Sequence, residues 1–330
     1  MKLDQAIELL LREAPPPDPP PEYRAAAESL RDHLRTRAEP KLSWLAGKRP
    51  ALGTERVEAK ADTVCDHTFH FSGQTLQLGP EIDWVTNHTA DVEWRAELNQ
   101  HKYWRTLGNA YCRTGNPKYA REFAAQLRSW LAQNPVPSKW DGNHGPWRPF
   151  EAGIRCVTWL EALHLFLLSE DLDATELASL LVSLAEHGNF LLEERTGGNH
   201  RVKEAFGLLA LGVLLPELPR AAQWLAQGQT TLNEALRDQF LPDGAHYELS
   251  PMYHHIVSGQ FLKIARLSRR AGVAWPGDFV PAVGRMFEYL RNLTKPDGTL
   301  PQFNDGDATD ARPLLRRAAT ILTVEELFEV

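Results

Sequence analysis

Apolar residues recur at helical spacing along most of the 330-residue chain. The pattern predicts helices over 1–13, 23–37, 92–114, 117–133, 148–168, 175–194, 201–215, 219–241, 252–271, 278–293 and 311–328. Their ends are marked by Asn116-Pro117, Asp141-Gly142, Gly197-Gly198, Pro216, Asp243-Gly244, Pro276-Gly277 and Asp297-Gly298. One stretch alternates instead: "TFHFSGQTLQL", residues 68–78, predicts a β-hairpin turning at Ser72-Gly73. The proline-rich "APPPDPPPEY", residues 14–23, predicts a stiff extended linker. These features divide the chain into residues 1–80, with the first helices, linker and hairpin, and a helical domain over 81–330.

The predicted helices are of two kinds. "EAFGLLALGVLL", from Glu204, is apolar on every side and reads as buried within an outer layer. The next, "RAAQWLAQGQTTLNEALRDQF", is amphipathic, with Ala221, Trp224, Leu225, Leu232 and Leu236 on one broad face. An inner apolar helix followed by an outer amphipathic one predicts helical hairpins in two layers. The expected class is all-α, an incomplete (α/α) toroid with one small β-hairpin; an open solenoid is its rival. No fixed-period repeat is present in the sequence, which disfavours the solenoid.

Composition narrows the function. Hydrophobic residues make up 43% and charged residues 24% of the chain, as in globular domains, and the net charge of -7 gives no general attraction to nucleic acid or anionic membrane. No stretch approaches the ~18 apolar residues of a membrane span. The N-terminal segment is amphipathic, with Asp4, Glu8 and Glu13, rather than a signal peptide. As written the chain reads as cytoplasmic; a trimmed piece of an exported protein would instead be periplasmic or secreted. Cys65, Cys112 and Cys156 form neither a disulfide framework nor a CxxC pair, and no cofactor or metal is called for. "CDHTFH" has the look of a metal motif, but strand alternation splits its side chains between two faces. "NDGDATD", from Asn304, offers close oxygens yet lacks the later glutamate of a calcium loop, and reads as a turn with a helix cap.

Two polar stretches sit where inner helices begin. "TGGNHRVKEAFGLLALG", from Thr196, places Asn199, His200, Arg201 and Glu204 at the start of the most apolar helix. "LPDGAHYELSPMYHH", from Leu241, holds His246, Tyr247, Glu248, Tyr253, His254 and His255 about one helical hairpin later. In a ring of hairpins such positions are neighbours at one rim, so Asn199, His200 and Tyr253 should face one cleft. That set suits removal of a proton next to a carboxylate: an amide or cation stabilises the enolate-like transition state, and a tyrosine moves the proton. A base role for the phenol requires nearby positive charge, which His200, His254 or an arginine would supply. Trp147, Glu151 and Arg155 share one helical face and are candidates to line the cleft, with a structural Glu-Arg pair as the alternative. Asn199 also suits a plain helix cap, and Tyr253 a core tyrosine.

The sequence resembles the N-terminal helical domain of the heparinase II/III and alginate lyase superfamily. The likeness rests on "EIDWVTN" (81–87), "VEWRAELNQHKYWRTLGNAYCRTGN" (92–116) and "WRPFEAGIRCVTWLEAL" (147–163). It continues with "GGNHRVKEAFGLLALGVLLPEL" (197–218), "DGAHYELSPMYHH" (243–255) and "PQFNDGDATDAR" (301–312). The resemblance implies a polysaccharide lyase that cleaves a uronic-acid polysaccharide by β-elimination. It implies Asn199 as carboxylate neutraliser, Tyr253 as acid/base, and His200 as base or charge neutraliser. The expected substrate-binding residues are Arg201, Tyr247, Glu248, His254, Trp147, Glu151 and Arg155, around an anionic uronate polymer. The family usually continues into a C-terminal β-sandwich that adds a catalytic histidine or tyrosine, and that domain is expected to be missing here. Two other functions stay open: a toroid glycoside hydrolase using two of Asp141, Glu151, Asp243 and Glu248, and a non-catalytic glycan-binding domain.

Overall fold

Why the chain folds into long helices is visible first at their ends. A computed structural model of the protein describes residues 2–12, 19–51, 58–275 and 279–322. Most of the proline-rich stretch, the Pro276-Gly277 break and the residues after Leu322 lie outside the described residues. In chain order the elements are α1 (Leu3–Arg12), α2 (Pro21–His33), a π-helical turn (Leu34–Ala38), α3 (Glu39–Ala46), α4 (Glu58–Cys65), β1 (Thr68–Phe71) and β2 (Gln74–Gln77). Then follow α5 (Val92–Asn99), α6 (Trp104–Thr114), α7 (Lys118–Gln133), α8 (Pro149–Phe166), α9 (Ala174–Glu193) and α10 (His200–Leu214). The last are α11 (Ala221–Gln239), α12 (Pro251–Ala271), α13 (Phe279–Leu293) and α14 (Arg312–Ile321). Asp173 opens α9 with a reciprocal capping box to Glu176. Ser250 caps α12 ahead of Pro251, and Gly272 ends it in the left-handed conformation.

Contacts divide the chain into two compact units, Met1–Arg195 with Gly207–Leu225, and Thr196–Phe206 with Ala226–Val330. The first unit is built on aromatic side chains. Trp84, Trp94, Trp104, Trp130 and Trp159 are all essentially buried, so these tryptophans serve the core. The hairpin belongs to this unit: β1 pairs antiparallel with β2, Phe69 packs 4.8 Å from Tyr103, and Phe71 lies edge-on to Trp94 at 5.3 Å. Its turn forms at Ser72 and Gly73, both with positive φ (48° and 72°), as a tight hairpin requires.

The predicted helix over 92–114 is two helices. His101 between them takes φ 53°, stacks on Trp104 at 4.1 Å, and accepts a hydrogen bond from the Trp159 indole N–H at 3.0 Å. The break brings the imidazole into the tryptophan cluster, where burial pushes its pKa well down and keeps it neutral. Periodicity alone did not locate α3 or α4, both short and weakly amphipathic.

The contrast between the two kinds of helix holds. From Glu204 to Leu215 every residue is buried, whereas α11 alternates between buried Ala221, Trp224, Leu232 and Leu236 and exposed positions. The second unit packs α12 against α13 and α14. Phe261 and Phe279 meet at 6.0 Å, and Trp275 stacks on Phe279 at 3.7 Å. Among the described residues no helix is long and apolar enough to cross a membrane.

Close approach of α8 to residue 207 leaves no room for a side chain. A Cβ on Gly207 would lie 2.8 Å from the Gly153 carbonyl oxygen and 3.1 Å from the Cys156 Cβ. Gly207→Ala is expected to destabilise the protein by about 1–3 kcal/mol, the usual cost of overpacking, read as a lower urea midpoint.

Candidate active site

The turn before α10 is closed by a buried carboxylate. Glu204, 2% exposed, accepts the backbone N–H of Thr196 at 3.1 Å and the Thr196 hydroxyl. Gly198 takes φ 59°, open to glycine at little cost, and its carbonyl accepts the Gln239 amide at 2.8 Å. The turn thus delivers Asn199 to the start of α10 in one fixed orientation.

The Asn199 side chain is held from the 243–250 loop. Its Nδ2 donates to Glu248 Oε1 at 2.9 Å, and its Oδ1 lies 3.0 Å from His246 Nε2. A carboxylate only accepts and an amide oxygen only accepts, so Nε2 of His246 carries the proton and the amide has one allowed orientation. His246 is 1% exposed, and burial lowers its pKa, which keeps it neutral. Tyr247 donates its hydroxyl to the same Glu248 oxygen at 3.1 Å. Two donors, an amide and a phenol, therefore converge on one carboxylate.

Tyr253 sits in the first turn of α12, its N–H donating to Ser250 Oγ at 3.2 Å. Its hydroxyl donates to Asp305 Oδ2 at 3.2 Å. The 301–311 loop that carries Asp305 is stapled to the 243–250 loop. Ser250 donates to the Asp305 carbonyl at 2.5 Å, and Asn304 Nδ2 donates to the Leu249 carbonyl at 2.9 Å. Both Leu249 (φ 54°) and Asn304 (φ 52°) adopt the left-handed conformation. Tyr247, Leu249 and Phe303 are exposed.

The charge around the phenol differs from expectation. Among the described residues it is Asp305 and Glu248 that act on Tyr253; partial burial and then these carboxylates raise its pKa. The phenol is held protonated, the form of an acid. His200 is exposed at the first position of α10. Arg201 pairs with Asp238 of α11 at 2.6 Å. In the "NDGDATD" stretch, Asp305 faces Tyr253 while Asp310 pairs with Arg312 at 2.9 Å.

Four of the expected ligand contacts are buried. His254 is 2% exposed, with Nε2 3.0 Å from the Met286 carbonyl oxygen. Trp147, Glu151 and Arg155 are buried in the first unit. Arg155 lies over the rings of Trp130 and Trp147, at 4.6 and 5.3 Å, and donates to His187 at 2.8 Å. Glu151 pairs with Arg148 at 2.8 Å, one turn away. Glu151 and Arg155 lie four residues apart in α8, as the spacing predicts, but Trp147 precedes the helix, which starts at Pro149; spacing by itself does not tell a wet face from a dry one. His246 and Asp305, in turn, were missed as site residues. His246 had one signal, a histidine two positions before Glu248; Asp305 had none beyond its place in a matching motif.

Burial pushes the His254 imidazole down to about 4, against 6.5 when exposed. Its contribution to stability is therefore full above about pH 6.5 and is lost as pH falls towards 4. His254→Gln is expected to flatten the loss of urea stability between about pH 7 and about pH 5, by up to about 1.4 kcal/mol per pH unit. His101, His187 and His246 share the direction, so part of the slope persists.

The family model described as Heparinase II/III N-terminus matches residues 20–326. A heparin-sulfate lyase of Pedobacter heparinus is 31% identical over 300 residues, covering 87% of this chain and 45% of the relative. One of Bacteroides stercoris is 28% identical over 313 residues, covering 88% and 47%. The chain thus spans about half the length of these curated relatives. A crystal structure of heparinase III superposes with a TM-score of 0.79 at 25% identity, over 89% of this chain and 48% of that one. The heparan sulfate lyase HepC of Pedobacter heparinus gives 0.75 at 28% identity, over 91% and 48%. The all-α fold expected from the sequence is that of this incomplete (α/α) toroid class. By its sequence over most of its length, the chain belongs to the heparinase II/III N-terminal family.

Proposed function

We propose that this chain forms the helical part of a polysaccharide lyase that cleaves a uronate-containing glycosaminoglycan by β-elimination. The observation that carries the reading is the convergence of Asn199 and Tyr247 on one carboxylate oxygen of Glu248. Donors arranged to hold a carboxylate of the protein are arranged to hold a uronate carboxylate too. An amide Nδ2 carries two hydrogens, so the bond to Glu248 leaves a second one for a ligand.

In the reaction a base removes the C5 proton, and the carboxylate takes up negative charge in an enolate-like transition state. Asn199 stabilises that charge; its amide is already oriented by His246, so no reorganisation is needed as the charge develops. The electron pair then forms the C4=C5 double bond while the C4–O4 bond breaks. Tyr253, held protonated, gives its proton to the departing O4. His200, exposed next to Asn199, is the candidate base. The exposed rings of Tyr247 and Phe303 offer flat faces for sugar. The hydrolase alternative has less support. Asp141 and Asp243 bond to backbone N–H groups two residues on, at 2.9 and 3.0 Å, and Glu151 is buried.

Incubation with heparan sulfate, hyaluronan and alginate is expected to produce the ultraviolet absorbance of an unsaturated uronate; new reducing ends without that absorbance would mean hydrolysis instead. Tyr253→Phe and Asn199→Ala should each lower kcat by about 100-fold or more with the fold intact. Near-normal turnover in either variant removes that residue's assigned role.

A further inference from the structure

Asp305 has no part in the chemistry assigned so far, yet it is the group the Tyr253 hydroxyl touches. The contact is built rather than incidental. Ser250 Oγ accepts the Tyr253 N–H and donates its own hydrogen to the Asp305 carbonyl, so one serine fixes the start of α12 and the loop opposite. Asn304, the preceding residue, donates to the Leu249 carbonyl at 2.9 Å. Met252, next to Tyr253, lies 3.4 Å from the Asp307 N–H through its sulfur. The backbone carrying the carboxylate is thereby locked to the helix carrying the phenol.

Resting on the lyase reading, we propose that Asp305 is a positioning residue that keeps the Tyr253 phenol protonated, so that Tyr253 acts as the acid and a different group acts as the base. A tyrosine serving both roles would have to begin the cycle as phenolate. A phenolate beside a carboxylate at hydrogen-bond distance is a like-charge pair, and the shared proton would be lost from between them. Among the described residues, the titratable groups that act on this phenol are Asp305 from the 301–311 loop and Glu248 from the loop before α12. Both are acidic, so neither favours the phenolate. When the phenol has given its proton to O4, the same repulsion drives it to recover one from solvent, which resets the acid for the next bond.

The test reads the phenol directly and does not require turnover. Difluorotyrosine at position 253, whose phenol ionises well below that of tyrosine, is followed by fluorine NMR in the full chain, with and without Asp305→Asn. Asp305 is exposed, and Asn is its isostere, so the variant is expected to fold; circular dichroism checks this. Removing the charge should shift ionisation of the phenol to lower pH. An unchanged titration curve overturns the proposal. In the unlabelled protein, Asp305→Asn should lower kcat about tenfold, the worth of one hydrogen bond to a charged group, and move the alkaline fall in rate to lower pH. A lowered rate with an unmoved alkaline limb would reduce Asp305 to a structural residue and also overturns the proposal. If no substrate gives unsaturated product with the parent chain, the lyase reading fails by itself, and the fluorine titration still decides the role of Asp305.

Discussion

The turn that presents Asn199 depends on a carboxylate buried beside its own helix. Glu204 is almost wholly shielded from water, and an ion in that position is tolerated only when its oxygens are satisfied. Thr196 satisfies them with its N–H and its hydroxyl, and in doing so folds residues 196–199 back against α10. A helix buried on every side from Glu204 onward has no lateral surface for polar chemistry. Its polar residues are confined to the end that the Glu204–Thr196 pair holds shut.

From that end a chain of hydrogen bonds runs outward: the neutral His246 imidazole to the Asn199 carbonyl, the Asn199 amide to Glu248, and the Tyr247 hydroxyl to the same oxygen. Each link removes a freedom from the next. The buried imidazole has one protonation state, which leaves the amide one orientation, which aims its N–H groups at one region. Networks of this kind specify geometry more than they add stability. The Ser250–Asp305–Tyr253 set does the same for the phenol.

Much of this was legible in the sequence, because helical periodicity and end signals are local. The start of α10, the loop before α12 and the meeting of Asn199 with that loop followed from the order of inner and outer helices. The differences between expectation and structure have a common physical origin. Trp147, Glu151, Arg155 and His254 carry polar groups, and polarity in a sequence does not separate a group that faces ligand from one partnered in the core. The structure gives them partners from within: an indole pair for Arg155, an i,i+3 arginine for Glu151, and backbone carbonyls for Trp147 and His254. The split at His101 escaped because its cause is a tertiary one: the imidazole is drawn into a tryptophan cluster assembled from α6, α7 and α8. Asp305 escaped because its partner lies more than fifty residues away across two irregular loops.

The left-handed residues Leu249 and Asn304 have a consequence for how such sites diversify. Leucine in that conformation costs on the order of 1–2 kcal/mol, and the Asn304 amide that bonds the Leu249 carbonyl is itself carried by a left-handed residue. Each loop is held against the other by these bonds, so the two are expected to vary as a single heritable cassette. Grafting the 243–250 loop of a relative into this scaffold would import a misfit unless residues 301–311 came with it. Changes of specificity in this region should accordingly arise by paired exchange of both segments rather than by single-loop drift.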